Sequence, residues 1–78
     1  MEELRKFIGE NYDGGNWKSV TDFYNRDGEA WDIRKFEETV EFEGKNYYVV
    51  IIEKWNYDSD DTSALDYSEE IFAKYICL

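Results

Sequence analysis

Leu4, Phe7 and Ile8 recur at helical spacing behind Glu2 and Glu3, whose charges suit the positive end of a helix dipole. This predicts a short amphipathic helix over residues 2–12, stopped by the loop formers Asp13-Gly14-Gly15-Asn16. Trp17, Val20, Phe23 and Tyr24 follow an i, i+3, i+6, i+7 pattern, which predicts a second short helix over 17–25 before Asn25-Arg26-Asp27-Gly28.

From Phe36 the period changes to two. Phe36, Val40 and Phe42 alternate with Glu37, Thr39 and Glu41, as in a half-buried strand, and the β-branched and aromatic run Tyr47–Ile52 predicts the strongest strand of the chain. Gly44-Lys45 between them fits a type II′ turn closing an antiparallel hairpin. That turn pairs Phe42 with Tyr47, Val40 with Val49 and Glu38 with Ile51 on one face. On the other it pairs Glu41 with Tyr48, Thr39 with Val50 and Glu37 with Ile52. Residues 30–34, with Trp31 and Ile33 alternating, suggest a third strand, and 56–66 form a polar loop. Ser68 before Glu69 and Glu70 reads as a helix start, with Ile71, Phe72, Tyr75 and Ile76 as its apolar stripe. The expected fold is one compact α+β domain over residues 1–78: an antiparallel β-hairpin or three-stranded sheet flanked by short N-terminal helices and a C-terminal helix.

Composition narrows the chemistry. The chain has 78 residues, 42% hydrophobic and 19% aromatic, so it carries enough apolar surface to fold, although a core this small leaves little margin. A single cysteine, Cys77, excludes an internal disulfide, and without histidine or a second thiol a structural zinc site cannot be assembled. No cofactor or metal is expected. The start Met1-Glu2-Glu3-Leu4-Arg5-Lys6 lacks the positive region of a signal peptide, and no apolar run approaches the ~20 residues that span a bilayer, so a cytoplasmic, non-membrane protein is expected. Nineteen acids against nine bases leave a net charge of −10. That excludes direct binding to nucleic acid or an anionic membrane, where affinity comes from neutralising phosphates, and makes a basic protein surface the natural partner. The simpler explanation of the charge is solubility.

The second hairpin face, with Tyr48, Val50 and Ile52 among carboxylates, is neither a good core nor an ordinary solvated surface. Alternate strand residues stand about 6.7 Å apart, so Glu37, Glu41 and Glu43 form a line of negative charge that can imitate phosphates spaced about 3.4 Å per strand. Tyr48 supplies an aromatic anchor where a base would stack. The competing arrangement has the terminal helices covering this face and the glutamates at its rim. The loop acids Asp58, Asp60, Asp61 and Asp66 extend the candidate partner-binding set. Their spacing, with Thr62 and Glu69, also partly matches a calcium-binding EF-hand loop, but Ser63 replaces the required glycine and a strand, not a helix, precedes it.

Catalysis is not expected. Without histidine the common general base and the Ser–His or Cys–His nucleophile are missing, Asp13-Gly14-Gly15-Asn16 lacks the lysine and spacing of a phosphate-binding loop, and nothing near Cys77 activates a thiol. Paired carboxylates for glycoside hydrolysis would need a cleft for which a chain this short has little room. In size, acidity, aromatic content and absence of catalytic side chains the chain resembles phage-encoded inhibitors that block CRISPR nucleases, restriction enzymes or DNA-repair enzymes. This resemblance of general character implies a nucleic-acid mimic occupying the basic surface of a nuclease or other nucleic-acid-binding protein, and carries no individual residue across. The rival reading is a generic interaction domain, such as an immunity or accessory protein, that binds through aromatics.

Overall fold

The computed structural model describes residues 2–78. Helix α1 (Glu2–Asn11) leads through a 3-10 turn (Gly14–Asn16) into strands β1 (Trp17–Ser19), β2 (Tyr24–Arg26), β3 (Glu29–Phe42), β4 (Lys45–Tyr57) and β5 (Leu65–Cys77). All strand pairs are antiparallel, in the order β1-β3-β4-β5, with β2 pairing the start of β3. The long β3–β4 ribbon, with β5 alongside, makes an elongated molecule of 46 × 20 × 19 Å.

One face of the sheet is sealed by α1. Leu4 and Ile8, one turn apart on the helix, are fully buried against Phe36, Val40, Val49, Ile51 and Trp17. Aromatic contacts extend this core: Tyr12 meets the edge of the Phe36 ring at 5.2 Å, Trp17 lies 5.5 Å from Phe36 and 5.7 Å from Trp55, and Phe7 lies 5.1 Å from Phe42. A ten-residue helix is marginal in isolation, so α1 owes its persistence to this docking. Arg5 adds a polar clasp, its guanidinium 2.9 Å from the buried Glu53 carboxylate and 5.5 Å from the Trp17 ring.

The N-terminal helix is present, but the expected flanking by further helices is wrong at two places. Residues 17–25 form no second helix. Trp17–Ser19 and Tyr24–Arg26 both pair with β3, while the segment between them leaves the sheet and is held by one main-chain bond, from Val20 N–H to the Ile33 carbonyl, and one side-chain bond, from Ile33 N–H to Thr21 Oγ1. Asp27-Gly28 then closes a tight hairpin with both residues at positive φ (58° and 78°), the type I′ geometry that Asp-Gly favours. The C-terminal helix is also absent, since residues 65–77 are the edge strand β5. Tertiary context decides this: β4 is apolar on both faces, and its second row of backbone groups needs a neighbour. Tyr67, Ile71, Phe72, Tyr75 and Ile76 suit a strand as well as a helical stripe.

Residues 30–34 are not a separate strand but the first part of β3. The hairpin turn is Glu43-Gly44, both at positive φ (51° and 77°), in place of Gly44-Lys45. Phe42 therefore faces Lys45, Val40 faces Tyr47 and Glu37 faces Val50. The register differs from expectation by two residues, so every side chain keeps its expected face.

A Cβ on Gly44 would meet nothing within 4 Å, so substitution there carries only the backbone penalty of the left-handed conformation. Gly44→Ala should lower stability by about 1–2 kcal/mol, whereas Glu43→Asn, which restores the favoured Asn-Gly pair, should raise it by up to about 1 kcal/mol. Urea unfolding midpoints of the two variants will check this, and movement of both in the same direction would contradict the turn assignment.

Candidate protein-binding surfaces

Two carboxylates are buried, and both are fully engaged. Asp32 accepts hydrogen bonds from Arg34 Nε at 2.7 Å, Tyr57 Oη at 2.9 Å and Ser19 Oγ at 3.1 Å. Glu53 accepts from Arg5 and, at 3.1 Å, from Trp55 Nε1. No buried side-chain polar atom among the described residues lacks a partner. Burial and the bond to Asp32 together push the Tyr57 phenol above its ordinary pKa. These acids hold β1, β3, β4 and α1 together, which leaves every other carboxylate of the chain outside the buried core.

Among the described residues no element covers the face of the sheet opposite α1, which lies on the other side. Strand alternation places Glu37 and Glu41 there, as expected, together with Tyr48, Val50 and Ile52. Thr39, not Glu41, stands directly opposite Tyr48. The tyrosine reaches diagonally to Glu37, donating its phenolic hydrogen to Oε2, and Lys35 Nζ lies 3.3 Å from Oε1 of the same carboxylate. These contacts, first the Tyr48 hydrogen bond and then Lys35, hold the Glu37 carboxyl below its usual range, and the same bond pushes the Tyr48 phenol up.

The pairing register also brings cations to this open face. Lys18, Arg26, Lys35, Lys54 and Lys74, more than half of the nine basic residues, lie on it beside Glu29, Glu37, Glu41 and Glu69. Lys54 Nζ sits 4.8 Å from the Trp31 ring centre, Tyr24 stacks on Trp31 at 5.0 Å, and Arg26 lies over Tyr24. The open face is therefore a mixed surface, with Ile33, Val50, Ile52, Phe72 and Ile76 set among charges of both signs. The line of carboxylates expected along it is interrupted by Thr39 and compensated at Glu37.

Further carboxylates stand at the two ends of the sheet. Glu41 and Glu43 lie at the β3–β4 hairpin tip. Asp58, Asp60 and Asp61 lie at the opposite end, about ten residues or roughly 33 Å further along β4 from Tyr48. The loop acids thus do not continue the hairpin line. Their loop is well ordered by its own bonds: Asp58 N–H donates to the Ala64 carbonyl, Asp58 Oδ1 accepts from Asp60 N–H, and Asp61 Oδ1 accepts from the Ser63 N–H and hydroxyl. Those bonds from Ser63 hold the Asp61 carboxyl below its usual range. The EF-hand spacing is not realised as a loop, since Leu65–Glu69 belongs to β5 and Glu69 pairs with Lys54. Among the described residues, no group of three or more His, Cys, Asp or Glu side chains is placed to hold a metal ion. Asp66 joins Glu29 and Tyr67 around a small cleft of about 190 Å³ at this end. The contribution of Glu29 was not legible in the sequence, because it is β3–β4 and β4–β5 pairing that brings residues 29 and 66 together.

No helix among the described residues is long and apolar enough to cross a membrane. Comparison with family models, with characterised proteins and with solved structures finds no match.

The Glu37–Tyr48 pair sets a pH dependence of known sign. A carboxyl with a lowered folded-state pKa stabilises the protein above its unfolded pKa, and that contribution is lost as pH falls through the folded value. A phenol with a raised folded-state pKa stabilises below its unfolded pKa, and the contribution is lost as pH rises through the folded value. In carbon-detected NMR titrations, Tyr48→Phe should move the Glu37 midpoint upward, and Glu37→Gln should move the Tyr48 midpoint downward. Unchanged midpoints in both variants would contradict the bond.

Proposed function

We propose that this chain is a non-catalytic, cytoplasmic, acidic protein-binding module that occupies the cationic surface with which a partner, a nuclease or another nucleic-acid-handling protein, otherwise holds nucleic acid. The observation that carries this reading is the distribution of charge. Only Asp32 and Glu53 serve the interior, and the remaining acids of a chain with net charge −10 are displayed outside the core. Such a field accelerates encounter with a cationic groove and gives it a surface to close on.

The geometry supports acidic poles better than an acidic stripe. Glu41 and Glu43 at the hairpin tip, and Asp58, Asp60, Asp61 and Asp66 with Glu29 at the far end, are fixed by a tight turn and by hydrogen-bonded loop geometry. A partner groove engaging both poles would have to run the 46 Å length of the molecule. A partner engaging one pole would be contacted mainly through the loop end. The inhibitor character suggested by general resemblance to phage-encoded nuclease inhibitors fits either arrangement.

A second reading is favoured by the open face, where Phe72 and Ile76 are exposed beside Ile52 and Val50. It is a protein-interaction domain that binds through apolar and aromatic contacts. Charge screening separates the two. For the acidic module, partner affinity should fall about a hundredfold or more between roughly 50 and 300 mM salt, and duplex DNA should displace it competitively. An affinity that barely changes with salt and ignores added DNA would overturn the acidic reading in favour of the apolar one.

A further inference from the structure

Most of the exposed large apolar side chains lie on β5 or just after it: Leu65, Tyr67, Ile71, Phe72, Ile76 and Leu78. β5 is an edge strand of 13 residues. Edges of this length are ordinarily guarded by proline, charge, a bulge or a covering element. The chain contains no proline, and most of the guards of β5 lie in its first half. There the pairing with β4 shifts register opposite Ile52/Glu53 and Asn56/Tyr57, and Asp66, Glu69 and Glu70 add charge. From Phe72 to Cys77 the pairing is regular, and Lys74 is the one charged side chain.

The phase of the hydrogen bonds tells which main-chain groups are free. Leu78 N–H donates to the Asn46 carbonyl at 2.9 Å, and Cys77 stands opposite Tyr47. Successive residues of an antiparallel strand turn their N–H and C=O groups to opposite sides. Ile76 and Lys74 therefore bond to β4, whereas Ala73, Tyr75 and Cys77 present theirs to the open edge. On the α1 side this edge borders a groove of about 610 Å³ lined by Glu2, Arg5, Lys6, Glu10, Glu70 and Tyr75. On the other side stand Phe72 and Ile76, with Lys74 between them.

We propose that the Phe72–Cys77 edge takes up an extended segment of a cationic partner protein as an added β-strand, with basic side chains turned toward the groove beside α1, where Glu2, Glu10 and Glu70 outnumber Arg5 and Lys6, and apolar ones toward Phe72 and Ile76. Main-chain bonding to Ala73, Tyr75 and Cys77 gives affinity, and the two sets of alternate side chains give selectivity. Charge rejects the other obvious occupant. A second copy of this chain would bring another net −10, including its own Asp66, Glu69 and Glu70, to the same contact. A strand carrying alternate Lys or Arg instead meets Glu2, Glu10 and Glu70, against Lys6 and an Arg5 already paired with Glu53. The proposal rests on the reading of the chain as an acidic module for a cationic partner, and specifies how that partner is held.

The probe is a ten-residue peptide of alternating Lys and Val, with oligo-lysine of equal charge as the comparison, both at low salt. Saturation with the Lys-Val peptide should slow amide exchange of Ala73, Tyr75 and Cys77 by about tenfold or more, leaving the already bonded Lys74 and Ile76 little changed. Ala73→Pro removes one outward N–H and spares the ladder to β4, so it should weaken the peptide about tenfold while thermal unfolding stays near that of the unaltered protein. The exchange pattern of the unaltered protein decides the matter should that variant not fold. If oligo-lysine binds but the Lys-Val peptide protects none of the three amides, strand addition is overturned and the acidic reading stands. If neither peptide binds, both fall. Dimerisation of the free protein with the same three amides protected would overturn the proposal in favour of a second copy.

Discussion

The docking of α1 on the sheet is the constraint on which the rest of this structure depends. Two fully buried side chains, Leu4 and Ile8, close the inner faces of β3 and β4 over Phe36, Val40, Val49 and Ile51. Among the described residues no other α-helix shares that task. The clasp between Arg5 and Glu53, roofed by Trp17 and Trp55, sets where along the ribbon the helix sits. With one face sealed in this way, the strands can extend beyond the helix toward the Asp58–Ala64 loop, and the opposite face and the β5 edge remain available.

That division of labour explains how a small chain can carry so much like charge. Self-repulsion works against compactness, and the fold answers it by removing only two acids from water and giving each an arginine. The remaining charge is spread along an elongated body, with cations gathered on the open face and carboxylates at the poles. A globular arrangement of the same residues would bring those carboxylates closer together. The elongated ribbon also separates the hairpin acids from the loop acids, so that they act as two surfaces and not one.

How much of this the sequence disclosed follows from which features are local. Leu4, Phe7 and Ile8 declare a helix within a single turn of chain, and the alternation of Phe36–Phe42 and the run Tyr47–Ile52 declare strands. Both are legible because burial on one side imprints the period directly. β5 was not legible, since Ile71, Phe72, Tyr75 and Ile76 fit a helical stripe and the need for a strand there comes from β4, not from β5 itself. Trp17, Val20, Phe23 and Tyr24 misled in the same way, with Thr21 replacing a backbone partner across the gap between β1 and β2. The hairpin turn was placed one residue late, because Glu43 at positive φ is an uncommon choice where asparagine or aspartate is expected. Among the site residues, Glu37 and Tyr48 do meet. The lysines that act on Glu37, Lys35 and Lys18, come from different strands, and only the pairing register brings them together.

The central claim is that the exposed carboxylates serve a partner and not the fold. Replacing Asp58, Asp60, Asp61 and Asp66 together by asparagine tests it most directly, because asparagine keeps the turn-capping oxygen of Asp58 and Asp61 while removing the charge. Measured side by side on that variant, unfolding stability should hold or rise while affinity for a cationic partner collapses. Lost stability with affinity intact would show that these charges belong to the architecture and that the binding account is wrong.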